Sequence, residues 1–247
     1  MDFHARLPTR AGAAGRLLAV MDEHRIDRAV VTIGGVIDPD LLSEQVIRGG
    51  HVETDADNDA LLAACEESDG RLLPMFFANP HRDPKDYGGR AAKFRGLEIS
   101  PAVHGVDLTG RRVFALVAVA AEFGHPVYTV CLGRPGAGAP DLVALAQAFP
   151  SVTFVLGHCG FVGIDLYALN TVRPERNIVA ETSGCYTGVA AAAVERLGAD
   201  RVLFGTDYPM QHPSVELAKL RALELTEATL DKVAWRNAHR ILGEEAS

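Results

Sequence analysis

RVLFGTDYPM, residues 201–210, places an acid directly after a buried strand. Val202, Leu203 and Phe204 form an unbroken apolar run, Gly205 and Thr206 end it, and Asp207 follows at its carboxyl end. A carboxylate there is costly to bury unless it is paired or holds a cation. The plain alternative is a helix cap. Pro209 and the Gln211-His212-Pro213 segment separate Asp207 from the next helical run, which weighs against a cap. The rest of the chain decides what Asp207 faces.

Working outward, the same apolar-run pattern recurs along the chain. It predicts strands at 2–4, 28–33, 71–78, 96–99, 126–132, 152–157, 177–181 and 201–205. The 28–33 run ends in Gly34-Gly35, and Pro74 weakens the start of the 71–78 run. Helical spacing or composition predicts helices at 11–24, 39–47, 57–65, 84–94, 109–123, 141–149, 164–169, 189–197, 213–223 and 226–241, with 101–104 in a loop. Runs apolar on both faces, joined by helices, imply parallel pairing with both sheet faces covered. Eight such units predict an α/β chain folded as one distorted (β/α)₈ TIM barrel over residues 1–247. A doubly wound open sheet is the alternative, but no glycine-rich dinucleotide fingerprint follows the first long strand.

Composition excludes several classes. The net charge is −8, and Lys and Arg are scattered, which argues against a nucleic-acid or anionic-membrane surface. No apolar run approaches the roughly 18 residues of a membrane span. The start, MDFHARL, lacks a basic-then-apolar signal segment. Cys65, Cys131, Cys159 and Cys185 are far apart without a CxxC pair, as expected of free thiols in the cytoplasm.

In such a barrel the functional groups sit at the carboxyl ends of the strands. Those ends carry His4-Ala5-Arg6, Glu98, Val130-Cys131, His158-Cys159, Glu181-Thr182-Ser183 and Asp207. A single histidine after a strand is more often a satisfied structural residue. Several titratable groups at equivalent places point instead to a common pocket.

MDFHARL, FVLGHCG (154–160), NIVAETSG (177–184), RVLFGTDYP (201–209) and WRNAHRILG (235–243) resemble the amidohydrolase superfamily in order and spacing. The similarity is to its amidohydrolase-related branch, which includes aminocarboxymuconate-semialdehyde decarboxylase and related hydrolases. It implies a distorted barrel with a divalent metal at its mouth, and it matches His158 and Asp207 to metal ligands and Glu98, loosely, to the strand-four position. Two departures stand out. The first strand of the family usually ends in His-x-His, whereas Arg6 follows His4 here. The usual strand-five histidine is replaced by Val130 or Cys131.

These departures bear on the chemistry. A catalytic zinc normally has three protein ligands. His4, Asp207 and His158, with Glu98 or Cys131 as substitutes, offer that number. Arg6 has no acceptor and repels a nearby cation, while its fork suits a carboxylate or phosphate. The plain alternatives for Arg6 are solvent or a pair with Asp2 or Asp207. The cofactor therefore stays open between a divalent metal, zinc by preference, and none.

The expected function is hydrolysis or decarboxylation of a small anionic or carbonyl-bearing substrate. Asp207 serves as base, His158 as acid or electrophile, and His4, Arg6 and Glu98 complete the catalytic set. Arg6, His104, Tyr208 and His212 are candidates for substrate contact. The competing class is a metal-less, non-catalytic barrel that binds a small molecule. Substrate, oligomeric state (a homo-oligomer is compatible) and the choice of reaction are not set by the sequence. The three cysteines near the strand ends read as core filler, Trp235 as packing and His239 as surface. The direction of Tyr128 is open.

Overall fold

The structure is a computed structural model that describes residues 1–34, 39–49, 51–52, 54–161 and 163–244. Gly35, expected to end the second strand, lies outside the described residues. The strands are β1 (Asp2–Arg6), β2 (Ala29–Thr32), β3 (Leu72–Pro74), β4 (Phe76–Ala78), β5 (Leu97–Ile99), β6 (Val127–Thr129), β7 (Phe154–Leu156), β8 (Ile178–Glu181) and β9 (Val202–Leu203). All pair in parallel, as β1-β2-β3 and as β4-β5-β6-β7-β8-β9.

β3 and β4 are two halves of one barrel strand. The chain changes neighbour at Met75, whose N–H donates to Val31 O at 2.8 Å, while the Phe76 N–H donates to Gly96 O at 2.9 Å. The ring closes between the first and last strands. Phe3 N donates to Phe204 O at 2.9 Å, Asp207 N to His4 O at 2.8 Å and Arg6 N to Tyr208 O at 2.7 Å. The expected barrel is therefore present, with its 71–78 strand broken in the middle. Most strands are shorter than the apolar runs, because the run continues into turns that still pack but no longer pair. β1 is the exception: it runs on to Arg6, with a register shift between Asp2 and Ala5.

Alternation along the strands separates two layers. Leu97, Val127, Phe154, Leu156, Ile178 and Val202 face the helices. Phe3, Val30, Leu73, Met75, Tyr128, Val155, Val179 and Leu203 fill the barrel. The period of two then puts Glu98, beside Leu97, and Glu181, two after Val179, on the inward side.

Several helices differ from the sequence expectation. The run at 84–94 splits into Pro84–Gly88 and a 3₁₀ turn, Ala91–Lys93, because the Gly88-Gly89 pair has poor helix propensity. The loop at 101–104 is instead a short helix with Ser100 as cap, Pro101 in its first turn and Gly105 at φ 61° just past its end. The last helix carries a π turn, Lys232–Arg236, between Glu227–Asp231 and Asn237–Ile241. The expectation of a surface His239 is corrected: it is buried and packs on Trp235 with ring centroids 4.2 Å apart. Among the described residues no helix is long and apolar enough to cross a membrane.

Close packing inside the barrel depends on small residues. A Cβ at Gly157 would lie 2.3 Å from Tyr128 Oη, and one at Gly205 would lie 2.3 Å from Glu181 Oε1. Gly157→Ala should therefore destabilise the fold by about 1–3 kcal/mol, the usual range for overpacking. Gly15→Ala, where a Cβ meets nothing within 4 Å inside the helix Ala13–His24, should instead stabilise by about 0.5–1 kcal/mol. Urea midpoints decide between them, and a neutral Gly157→Ala would mean that Tyr128 has room to move.

Candidate active site

The first strand supplies two groups. His4 is buried and lies flat against Tyr128, with ring centroids 4.1 Å apart and planes 8° apart. Its Nδ1 is 3.4 Å from Asp207 Oδ1 and its Nε2 is 3.7 Å from Glu98 Oε2. Among the described residues neither ring nitrogen has a hydrogen-bond partner, an uncommon state for buried polar atoms. Arg6 is also buried. It donates from Nε to Asp207 Oδ1 at 3.2 Å, from NH1 to Gly34 O at 2.7 Å and from NH2 to Glu98 Oε1 at 2.8 Å.

Arg6 acts on both acids, as the leading favourable neighbour of Glu98 and second to His158 at Asp207. Burial pushes the Glu98 carboxyl up, but Arg6 and then His4 outweigh it and hold it below the usual carboxylate range. Burial likewise opposes ionisation of Asp207, and His158, Arg6 and His4 together overcome it.

His158 and Asp207 both stand on strained backbone. His158 has φ 58° and Asp207 φ 53°, the left-handed region that non-glycine residues rarely enter. The strand that precedes His158 stops at Leu156, so Gly157–Cys159 turns and aims the imidazole across the barrel mouth. His158 Nδ1 lies 3.0 Å from both the carbonyl oxygen and the hydroxyl of Ser183. The Ser183 hydroxyl donates its proton to Glu181 Oε2 at 2.9 Å. It therefore has only a lone pair for His158, and a carbonyl can only accept. Both contacts require a proton on Nδ1, which leaves Nε2 as the free lone pair of the neutral ring. Glu181 also accepts from the Tyr128 hydroxyl at 3.0 Å, and burial keeps that phenol protonated by raising it well above its ordinary value.

One ligand atom each of His4, His158 and Asp207 lies within 4.8 Å of the others. Two imidazoles and a carboxylate are a common set for zinc and related cations. The unpartnered His4 nitrogens and the free His158 Nε2 fit that use. Arg6 works against it, because its guanidinium already holds Asp207 Oδ1.

These groups border a cavity of about 360 Å³, within the usual size of a small-molecule site. Arg6, Ser100, His158 and Asp207 form its polar wall, and Leu42, Val103, Val130, Leu132, Phe161 and Tyr186 line it with apolar surface. Val130 thus occupies the wall where the strand-five ligand was sought, while Cys131 is buried and its thiol raised by desolvation.

The sequence candidates divide accordingly. His4, Arg6, Glu98, His158 and Asp207 come together, with His4 and Glu98 behind the wall. The other three substrate-contact candidates do not form that wall. His104 is buried against Phe77, with ring centroids 5.6 Å apart, and desolvation pushes it down to about 4. His212 is exposed and caps the helix Pro213–Ala222 by accepting from Ser214 N. Tyr208 contributes its carbonyl to β1. In the sequence Ser183 reads only as part of a strand end, without a role, and the direction of Tyr128 is open. Ser183 follows Glu181 by two, a period-two signal present in the sequence, whereas the inward turn of Tyr128 needs a register.

A parallel barrel with an imidazole-carboxylate cluster at the carboxyl ends of its strands defines a class of barrel enzymes. The chain belongs to the amidohydrolase family, whose model matches residues 1–243. Three solved structures are similar to it. One, 5-carboxyvanillate decarboxylase from Novosphingobium aromaticivorans complexed with manganese and 4-hydroxy-3-methoxy-5-nitrobenzoic acid, is 17% identical, with 98% of this chain and 95% of that one covered at a TM-score of 0.71. A second, 2,6-dihydroxybenzoate decarboxylase from Rhizobium, is 17% identical, with 98% and 99% covered at 0.70. The third, from Pseudomonas putida and provisionally named a 2-pyrone-4,6-dicarboxylic acid hydrolase, is 18% identical, with 100% and 98% covered at 0.72. At these identities the likeness carries the fold alone. No curated protein matches the chain.

The buried ion pairs are directly testable. Arg6→Met leaves Glu98 without its arginine and should cost about 3–5 kcal/mol. Adding Glu98→Gln should restore part of that loss. A coupling below about 0.5 kcal/mol in a urea double-mutant cycle would show that the two side chains do not act as a pair.

Proposed function

We propose that this amidohydrolase-family chain is an enzyme that hydrolyses or decarboxylates a small substrate with a carbonyl or carboxylate group. The observation that supports this most is that Arg6, His158 and Asp207 face one small, mainly apolar cavity. An apolar wall with a few convergent polar groups suits a compact organic acid or its ester, amide or lactone. The similar structures of a 2,6-dihydroxybenzoate decarboxylase with 2,6-dihydroxybenzoate and of the 5-carboxyvanillate decarboxylase with 4-hydroxy-3-methoxy-5-nitrobenzoic acid favour the acid.

Each residue has a task in this reading. Arg6 receives the anionic group of the substrate, with Gly34 O and Glu98 fixing two of its donors. His158 Nε2 accepts or returns a proton. Asp207, held below the usual carboxylate range by His158, Arg6 and His4, takes a proton from water or from the substrate. His4 is held flat by Tyr128 and offers a ring nitrogen toward Asp207.

His4, His158 and Asp207 are the residues that would hold a divalent cation such as zinc or manganese, and when bound it would polarise the carbonyl or carboxylate. Arg6 weakens that binding by repulsion and by competing for Asp207. Cation content of protein purified without chelators should fall clearly below one equivalent. Arg6→His should tighten manganese binding about tenfold or more, since one unit charge at a few ångströms exceeds about 1.4 kcal/mol. A stoichiometric, tightly held cation in the wild-type chain would overturn the assigned effect of Arg6.

A screen of esters, lactones, amides and aromatic carboxylic acids, with added manganese or zinc, tests the function. Asp207→Asn should lower turnover by about 10²–10⁴-fold with the fold intact. Retained activity would remove Asp207 from the mechanism. Saturable binding without turnover of any compound would favour the non-catalytic ligand-binding barrel.

A further inference from the structure

The loop after β8 is held from below by a charge pair that the proposed chemistry does not use. Glu216 and Lys219 lie three apart on the helix Pro213–Ala222, and both are buried. Lys219 Nζ donates to Thr182 O at 2.7 Å and to Cys185 O at 2.8 Å, and it pairs with Glu216 Oε2 at 2.5 Å. Glu216 Oε1 accepts from Gly184 N at 3.1 Å. The two side chains thus bind the carbonyls on either side of Ser183-Gly184 and the N–H of Gly184. An ammonium and a carboxylate are costly to bury together, so holding a loop in one conformation is a reason for their presence.

Ser183 is the residue enclosed by these contacts. Its carbonyl and hydroxyl are the acceptors that require a proton on His158 Nδ1. We propose that Lys219, anchored by Glu216, is a positioning residue for His158: it fixes the Thr182–Cys185 loop so that Ser183 holds the imidazole with Nδ1 protonated and Nε2 free toward the cavity. Without it the loop carbonyls turn away. Ser183 then no longer presents both acceptors, and the ring is released to the other tautomer and to other orientations. This rests on the site reading in which His158 works through Nε2.

The imidazole nitrogens report the tautomer directly. Long-range ¹H–¹⁵N spectra of the metal-free protein, at a pH where histidines are neutral, distinguish a protonated from an unprotonated ring nitrogen. The His158 signal is the one lost in His158→Gln. In the wild-type chain Nδ1 should be protonated and Nε2 unprotonated. In Glu216→Gln/Lys219→Met, which removes both buried charges together, His158 should shift to a mixture or to the Nε2-protonated form, while the other histidine signals stay in place.

The outcomes separate two failures. A folded double variant with an unchanged His158 signal overturns the role of Lys219 and leaves the site reading standing. A wild-type His158 protonated on Nε2 overturns the site reading itself. Should the double variant fail to fold, Lys219→Gln replaces it. That side chain keeps an amide donor but loses the charge, and the same signals decide: a shift supports the positioning role and an unchanged His158 overturns it.

Discussion

Arg6 lies between the buried Glu98 and the part-buried Asp207 and pairs with both. Desolvation favours protonating both carboxyls; Arg6 leads the opposing interactions at Glu98 and follows His158 at Asp207. Both carboxyls are held below the usual carboxylate range, Asp207 at the edge of an apolar cavity. The arginine is held by a third contact that involves no charge, Gly34 O, so its fork cannot simply follow one acid. Its position fixes a positive charge on the cavity wall. The same charge bears on any cation near Asp207.

The barrel makes this arrangement possible by bringing distant segments together. His4 and Arg6 come from the first strand, Asp207 from the turn after the last, and hydrogen bonds of Phe3, His4 and Arg6 to residues 204–208 join the two. Closing the barrel and assembling the site are thus the same event. The floor beneath is apolar, from Phe3 through Leu203, with Tyr128 filling the step between floor and site. The phenol of Tyr128 also meets Glu181, so the packing residue and the hydrogen-bond network of His158 are continuous.

Much of this was legible in the sequence because period and position carried it. The apolar runs located the strands, and reading their carboxyl ends found His4, Arg6, Glu98, His158 and Asp207. What failed has physical causes. His104 and His212 stand in loops near the mouth in sequence, but loop direction is not periodic, and the folded chain buries one and uses the other as a helix cap. His239 looked like a surface residue because the π turn at Lys232–Arg236 rotates the helix by an amount no heptad count anticipates. Tyr128 needed the register of β6. Lys219 and Glu216 carry no signal of their own in the sequence, since their burial comes from the loop they hold rather than from their own helix.

The strained backbone at His158 and Asp207 bears on how the site keeps its shape. A residue in the left-handed region gives up about 1–3 kcal/mol, and such a conformation persists only when its surroundings over-determine it. At Asp207 the determinants are the N–H bond to His4 O and the contact of its carboxylate with Arg6. At His158 they are the two Ser183 acceptors and the close fit of Gly157 against Tyr128. Each strained residue is therefore fixed by a neighbour that also bears on its chemistry: Arg6 holds Asp207 in place and, with His158 and His4, lowers its proton affinity, and Ser183 fixes both the place and the tautomer of His158. Substitutions at Arg6 or Ser183 are for that reason expected to act on geometry and proton affinity together.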